Sequence, residues 1–297
     1  MRDLKVMLLG PFSVADGPRS LPAPLLRKAQ DLLALMLISP ERSVLRESAA
    51  EALWPDARVE TSKKSMRQAL WQIHRTADDG VQDTRRLVVS DGDALHINPD
   101  RRLWVDVAVF LEAARVAQGV GPGALDAAEL TRLARAADLY RGPLHAGCYD
   151  EWCLIPRARL EDRCLTLLDT LSREHERRGE LDQAITWAQR LLDVEPAHER
   201  SHRRLMRLYF ATGDRTRALR QLHQCRWVLE HELGVRPDTR TEELGAAIIA
   251  DRLPHGRTED EATPVAEREL VAALRIELTE LRRSVDAIGA RLRDAPV

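Results

Sequence analysis

Aromatic side chains make up only 4% of the 297 residues, and there are just four cysteines. A β-sandwich core draws on aromatic and β-branched residues, so this shortage points instead to helices built from Ala, Leu and Arg. Cys148, Cys153, Cys164 and Cys225 form no short-spaced pairs of pairs. Neither a zinc ribbon nor a disulfide framework is expected, and a reducing compartment is the default. Long apolar runs are missing as well. The opening LKVMLLG is cut off at Gly10 and Pro11, too early for a secretory leader, and no stretch nears the roughly 20 residues of a membrane span. A soluble, cytoplasmic protein with no membrane partner is expected. Nor does one sign of charge dominate: the formal net charge is -2 and the pI about 6.5. Any polyanionic partner must therefore be met by a local patch. Lysine itself is scarce, present only at Lys5, Lys28, Lys63 and Lys64.

Two of those four lysines open the stretch TSKKSMRQALWQIHR, Thr61 to Arg75, which contains no acid. Its periodicity predicts a helix capped by Thr61 or Ser62 and running to about Ala77. Met66, Leu70 and Ile73 share one face. Lys64, Gln68, Trp71 and Arg75 line the other, with Gln72 close by and Lys63 and Arg67 to one side. A helix in the DNA major groove needs cations for phosphates, amides or guanidinium groups for base edges, and no carboxylates where phosphates approach. The same pattern also suits a solvated amphipathic helix, so its neighbours matter. Before it come short strands (LKVMLLG, FSVA), a helix from Leu25 to Ile38 and a short helix, RESAAEALW, ending at Trp54 and Pro55. After it, RRLVVSDGDALHIN predicts a hairpin turning at Asp91, Gly92 and Asp93. Sheet, three helices and a terminal hairpin is the order of a winged helix-turn-helix, expected over residues 1–104. Arg85 and Arg86, at the hairpin base, are placed to hold phosphates, whereas the acidic tip is not.

From Val105 onward the pattern is almost wholly helical. Helices are predicted from Phe110 to Gln118, Asp126 to Tyr140, Pro156 to Arg178, Glu180 to Val194, Glu199 to Thr212 and Thr216 to Leu233. RRGELDQAI and ATGDRTRAL align with Gly179 on Gly213 and Ala184 on Ala218, a 34-residue offset that is the tetratricopeptide period. Leu171 then falls on Leu205 and His175 on Tyr209. An all-α tetratricopeptide-like domain is expected over residues 105–253, followed by a polar, acidic linker over 254–266. In 267–294, Val271, Leu274, Leu278, Leu281, Val285, Ile288 and Leu292 alternate steps of three and four, a heptad stripe that seeks a partner helix. Self-association or docking onto the chain's own helices would satisfy it. The fold class is thus mainly α, with an α+β winged helix, an all-α repeat domain and a C-terminal heptad helix.

Signs of catalysis or of a cofactor are weak. His198 and His202 lie four apart with Glu195 nearby, a metal-like spacing that a polar repeat face also explains. Cys148 and Cys153 flank YDEW and read as buried thiols. GVGPG lacks the preceding strand and the following basic helix of a phosphate loop. No enzyme, metal or cofactor is expected.

Together LLGPFSV, RKAQDLLALMLI, EALWPD and SMRQALWQIHR resemble the winged-helix half of the Streptomyces antibiotic regulatory protein family. DLYRGPLHAGCYDEW and the run from Glu176 through LGVRP to Leu244 resemble its bacterial transcriptional activation domain. The resemblance covers about Leu4 to Ile249 and implies an OmpR-type winged helix whose recognition helix matches Lys63 to Arg75. It implies binding of short promoter repeats in double-stranded DNA by side-by-side protomers, and contact with RNA polymerase and its sigma factor. Three positions depart from the family pattern. Leu45 stands where a Ser or Thr usually caps the preceding helix, and Gln72 and His74 stand where arginines are usual. The competing reading is a protein-interaction scaffold with a degenerate winged helix, acting through the helical repeats and the heptad stripe.

Overall fold

The computed structural model describes residues 4–16, 19–20, 25–78, 86–119, 121 and 123–252. The chain forms two compact units, Met1–Ala250 and Asp251–Val297. Every element below lies in the first, and the heptad stripe falls outside the described residues.

Strand β1 (Leu4–Met7) alternates inward Leu4 and Val6 with outward Lys5, whose ammonium sits 4.5 Å from the Trp104 ring. It pairs antiparallel with β2 (Ser13–Asp16), which pairs with β3 (Arg19–Ser20). Helix α1 (Arg27–Ile38) buries Leu32, Leu33, Met36 and Leu37 at helical spacing. A one-turn 3-10 segment leads to β4 (Ser43–Leu45), α2 (Arg46–Leu53) and α3 (Val59–Ala77). The expected hairpin is present as β5 (Val88–Asp91) and β6 (Ala94–Ile97), and β4 joins it in a three-stranded sheet of order β4-β6-β5.

Strand β7 (Leu103–Val105) then returns to pair in parallel with β1. Helix α4 (Asp106–Gly119) begins four residues before the expected Phe110. Asp106 explains the early start. Its buried carboxylate accepts hydrogen bonds from the backbone N–H groups of Leu8, Leu9 and Val107 at 2.8–2.9 Å, tying the end of β1 to the first turn of α4. Burial pushes the Asp106 carboxyl above the ordinary carboxylate range, against the pull of those backbone donors.

The remaining helices are α5 (Ala127–Ala137), α6 (Glu151–Arg177), α7 (Leu181–Val194), α8 (Glu199–Ala211), α9 (Arg215–Val228) and α10 (Thr239–Ile249). Helix α6 starts five residues ahead of Pro156, the residue at which the predicted helix began. Proline removes one backbone donor, but Cys153 and Leu160, on either side of it, are buried in the core, and that packing carries the helix across. The repeat is present as read. Gly179 and Gly213 both follow a helix with φ near +80°, a left-handed conformation that only glycine adopts without strain. Leu171 and Leu205, and Ala184 and Ala218, are buried in matching positions. One hydrophobic cluster runs from Leu4 through Phe110 and Leu133 to Leu191, so strands and helices from both parts of the chain share a core.

Candidate nucleic-acid interface

Helix α3 divides as its sequence period requires. Met66, Ala69, Leu70 and Ile73 are buried, while Lys63, Lys64, Arg67, Gln68, Trp71 and Arg75 are exposed. Trp71 is 56% exposed, with the Arg75 guanidinium 5.1 Å from its ring centre. Stacking of this kind holds the arginine against the helix without neutralising it. Arg67 has no hydrogen-bond or ion-pair partner among the described residues, so its donors are available to a ligand.

The structure corrects two details of this helix. Neither Thr61 nor Ser62 is its cap: α3 begins at Val59 after Arg58, and the buried Ser62 hydroxyl donates to the Val59 carbonyl at 3.0 Å. The longer helix therefore includes an acid, Glu60, 3.9 Å from Lys63. The second correction concerns Gln72. It is half-buried, and its Oε1 accepts a hydrogen bond from the Leu26 backbone N–H at 3.3 Å. That contact satisfies a free donor at the start of α1, so Gln72 anchors α3 to α1 rather than facing outward.

The surroundings of α3 were not legible from the sequence. Asp78, just past its end, accepts from the Leu87 N–H at 2.9 Å and pairs with His74 at 2.9 Å. Arg101 lies 3.6 Å from Asp78 and donates to the Ala77 carbonyl at 2.9 Å. These contacts fix the C-terminal end of α3 to the base of the hairpin. An Asp following a helix and preceding a strand is the signal that could have found them. At the other end of the hairpin, the Arg46 N–H donates to the Asp93 carbonyl at 2.8 Å, and the Arg46 side chain donates to Ser90 Oγ at 2.7 Å. The wing itself satisfies the first donor of α2, which explains how Leu45 can occupy a capping position with no side-chain acceptor. Arg86 is exposed beside this hairpin, and Asp91 and Asp93 are exposed at its tip. Arg85 lies outside the described residues.

Among the described residues, the His and Cys groups with metal-like spacing are engaged in contacts within the chain. Both ring nitrogens of His202 are engaged, Nε2 with the Pro196 carbonyl at 2.9 Å and Nδ1 with the Gln221 amide at 2.6 Å. His198 uses Nδ1 to cap α8. Asp31, His145 and Cys148 bring ligand-type atoms within 4.8 Å of one another, all buried. Arg27 at 3.0 Å and Lys28 at 3.5 Å from Asp31 place two cations where a divalent ion would sit. The Asp31 pair with His145 at 2.7 Å instead joins α1 to residues 142–149. Arg157 gathers the carbonyls of Leu144, His145 and Cys148 in that segment. Burial pushes the Cys153 thiol up to about 12, so it stays protonated.

Burial also lowers the His202 pKa below its ordinary 6.5. As pH falls through 6.5 the unfolded chain takes up a proton that the folded ring resists. The stability this group contributes is present above that pH and is lost as pH falls toward the depressed folded value. Urea unfolding free energies are expected to drop between pH 7.5 and 5.5, by at most about 1.4 kcal/mol per pH unit from this group. His202→Gln should flatten the slope. An identical slope in the variant would remove the assignment.

Residues 105–249 match the bacterial transcriptional activator domain family. The transcriptional regulatory protein MoaR1 of Mycobacterium tuberculosis is 23% identical over 213 residues, 71% of this chain and 68% of that protein. The regulatory protein AfsR of Streptomyces coelicolor is 26% identical over 222 residues, 73% of this chain but 21% of AfsR. The solved structure of Mycobacterium tuberculosis EmbR, in complex with a low-affinity phosphopeptide, matches 94% of this chain and 72% of that chain. The TM-score is 0.63 at 17% identity, a likeness of fold. Among the described residues, no helix is long and apolar enough to cross a membrane.

Proposed function

We propose that this chain, whose residues 105–249 match the bacterial transcriptional activator domain family, is a transcriptional regulator of the Streptomyces antibiotic regulatory protein family and a cytoplasmic DNA-binding activator. In this reading α3 enters the major groove of short promoter repeats. Arg67 and Gln68 meet base edges, while Lys63, Lys64, Arg75, Arg85 and Arg86 hold phosphates and Trp71 packs on sugar. The helical repeats contact RNA polymerase and its sigma factor, and the heptad stripe from Val271 to Leu292 joins protomers. The observation that carries the reading is the exposed face of α3. From Thr61 onward it presents lysine, arginine, glutamine and tryptophan and no carboxylate, with its apolar face locked into the core.

Selection of genome fragments by the purified full-length chain, followed by titration of the best fragment at several salt concentrations, tests this. A short repeat bound with a steep salt dependence is expected. Lys64→Ala should weaken binding evenly across sequences and reduce the log–log salt slope by about 0.9, one phosphate's share. The exposed acids at the wing tip, Asp91 and Asp93, favour the alternative of an interaction scaffold. A well-folded chain that enriches no fragment would move the function to its helical half.

A further inference from the structure

A cavity of about 810 Å³ opens between α2 and the start of α6, within the size range of small-ligand pockets. It is lined by two indoles, Trp54 and Trp152, and by four carboxylates, Glu51, Asp56, Asp150 and Glu151. Its one lining cation is Lys28, which is committed to the wall: Nζ lies 2.9 Å from Asp150 and 3.5 Å from the buried Asp31. Glu51 and Asp56 have no hydrogen-bond or ion-pair partner among the described residues. The positive end of the α6 dipole would oppose a cation, but Asp150 and Glu151 sit on that end and offset it.

These features select a ligand class. Four carboxylates exclude an anion. A bare metal ion would use carboxylate oxygens and leave the indoles idle. An ammonium or guanidinium group on an apolar frame uses both, by ion pairing and by cation–π contact. We propose that this cavity is a binding site for a small organic cation on an apolar or aromatic frame. Residues Trp54 to Ala57, one wall of the cavity, are the connection that leads into α3. The site is therefore contiguous with the recognition helix but uses none of the side chains assigned to DNA. The inference does not depend on the DNA-binding reading and stands or falls separately.

Isothermal titration of the full-length protein with tyramine, agmatine and the anion 4-hydroxyphenylacetate tests it. Saturable one-site binding of tyramine is expected, weaker binding of agmatine, and none of the anion. The double variant Glu51→Gln, Asp56→Asn should weaken tyramine at least about tenfold, the effect of losing one good charge contact. Both residues are exposed, and an unchanged thermal melt would show that folding is intact. Absence of cation binding, equal binding of the anion, or undiminished binding by the double variant would each overturn the proposal.

Discussion

Arg204→Met is expected to destabilise the folded chain by about 3–5 kcal/mol, the usual effect of breaking a buried ion pair from one side. Arg204, on α8, is wholly buried. Its Nη1 donates to Asp169 Oδ1 at 2.6 Å, and its Nε lies 3.3 Å from Glu176 Oε2, near enough to pair charge. Both acids are on α6, so the guanidinium ties together the first helices of two successive repeats. Methionine fills much the same volume, and the loss should come chiefly from a buried carboxylate deprived of its ion-pair partner. Asp169 is nearly as buried as its partner and cannot rehydrate easily, whereas the more exposed Glu176 can. The effect is thus assigned to Asp169, and a second variant tests the assignment. Arg204→Met combined with Asp169→Leu removes both charges and should recover most of the loss, because a buried pair contributes little relative to well-packed apolar groups. Urea unfolding with unchanged m-values would measure both. A single-variant loss below about 1 kcal/mol would mean the guanidinium is solvated in solution.

The second large effect concerns DNA. Arg67→Ala is expected to weaken binding of the selected repeat by about 1–3 kcal/mol, and to relax preference at one base position. Arg67 is exposed and has no partner among the described residues, so the variant breaks no internal contact and should melt as the parent does. Lys64→Ala removes a point charge and should act on every sequence alike. Arg67→Ala removes a planar fork of donors matched to a guanine edge, and should act mainly on the preferred sequence. Fluorescence anisotropy on the selected repeat and on a scrambled duplex separates the two. Equal losses on both duplexes would reassign Arg67 to the phosphates.

The Gln72 contact shows where one-dimensional reading of this helix ends. A period of 3.6 residues places Gln72 beside the exposed face, and nothing in the local sequence distinguishes it from Gln68. Only the position of Leu26, 46 residues away, turns one amide inward and leaves the other free. The cap of α3 failed for a related reason. Thr61 and Ser62 are good capping types, but capping competes with continued helix when the flanking turn is already held, and here the Ser62 hydroxyl is satisfied by Val59.

By itself the sequence determined what depends on short-range period and backbone permission. The 34-residue repeat was legible because Gly179 and Gly213 must adopt a conformation that other residues resist. The two faces of α3 were legible because burial follows helical spacing. The hairpin was legible because Asp91, Gly92 and Asp93 can make few other structures. The tertiary structure alone decided where isolated charges went. Asp106 closes the end of β1, Asp78 fastens α3 to the wing, Asp31 meets His145, and Arg204 lies inside the repeat stack. A charged side chain reads as surface in any sequence window, because water is its default partner. It can be buried only when the fold delivers compensating donors or acceptors from far along the chain, and no local pattern records that delivery.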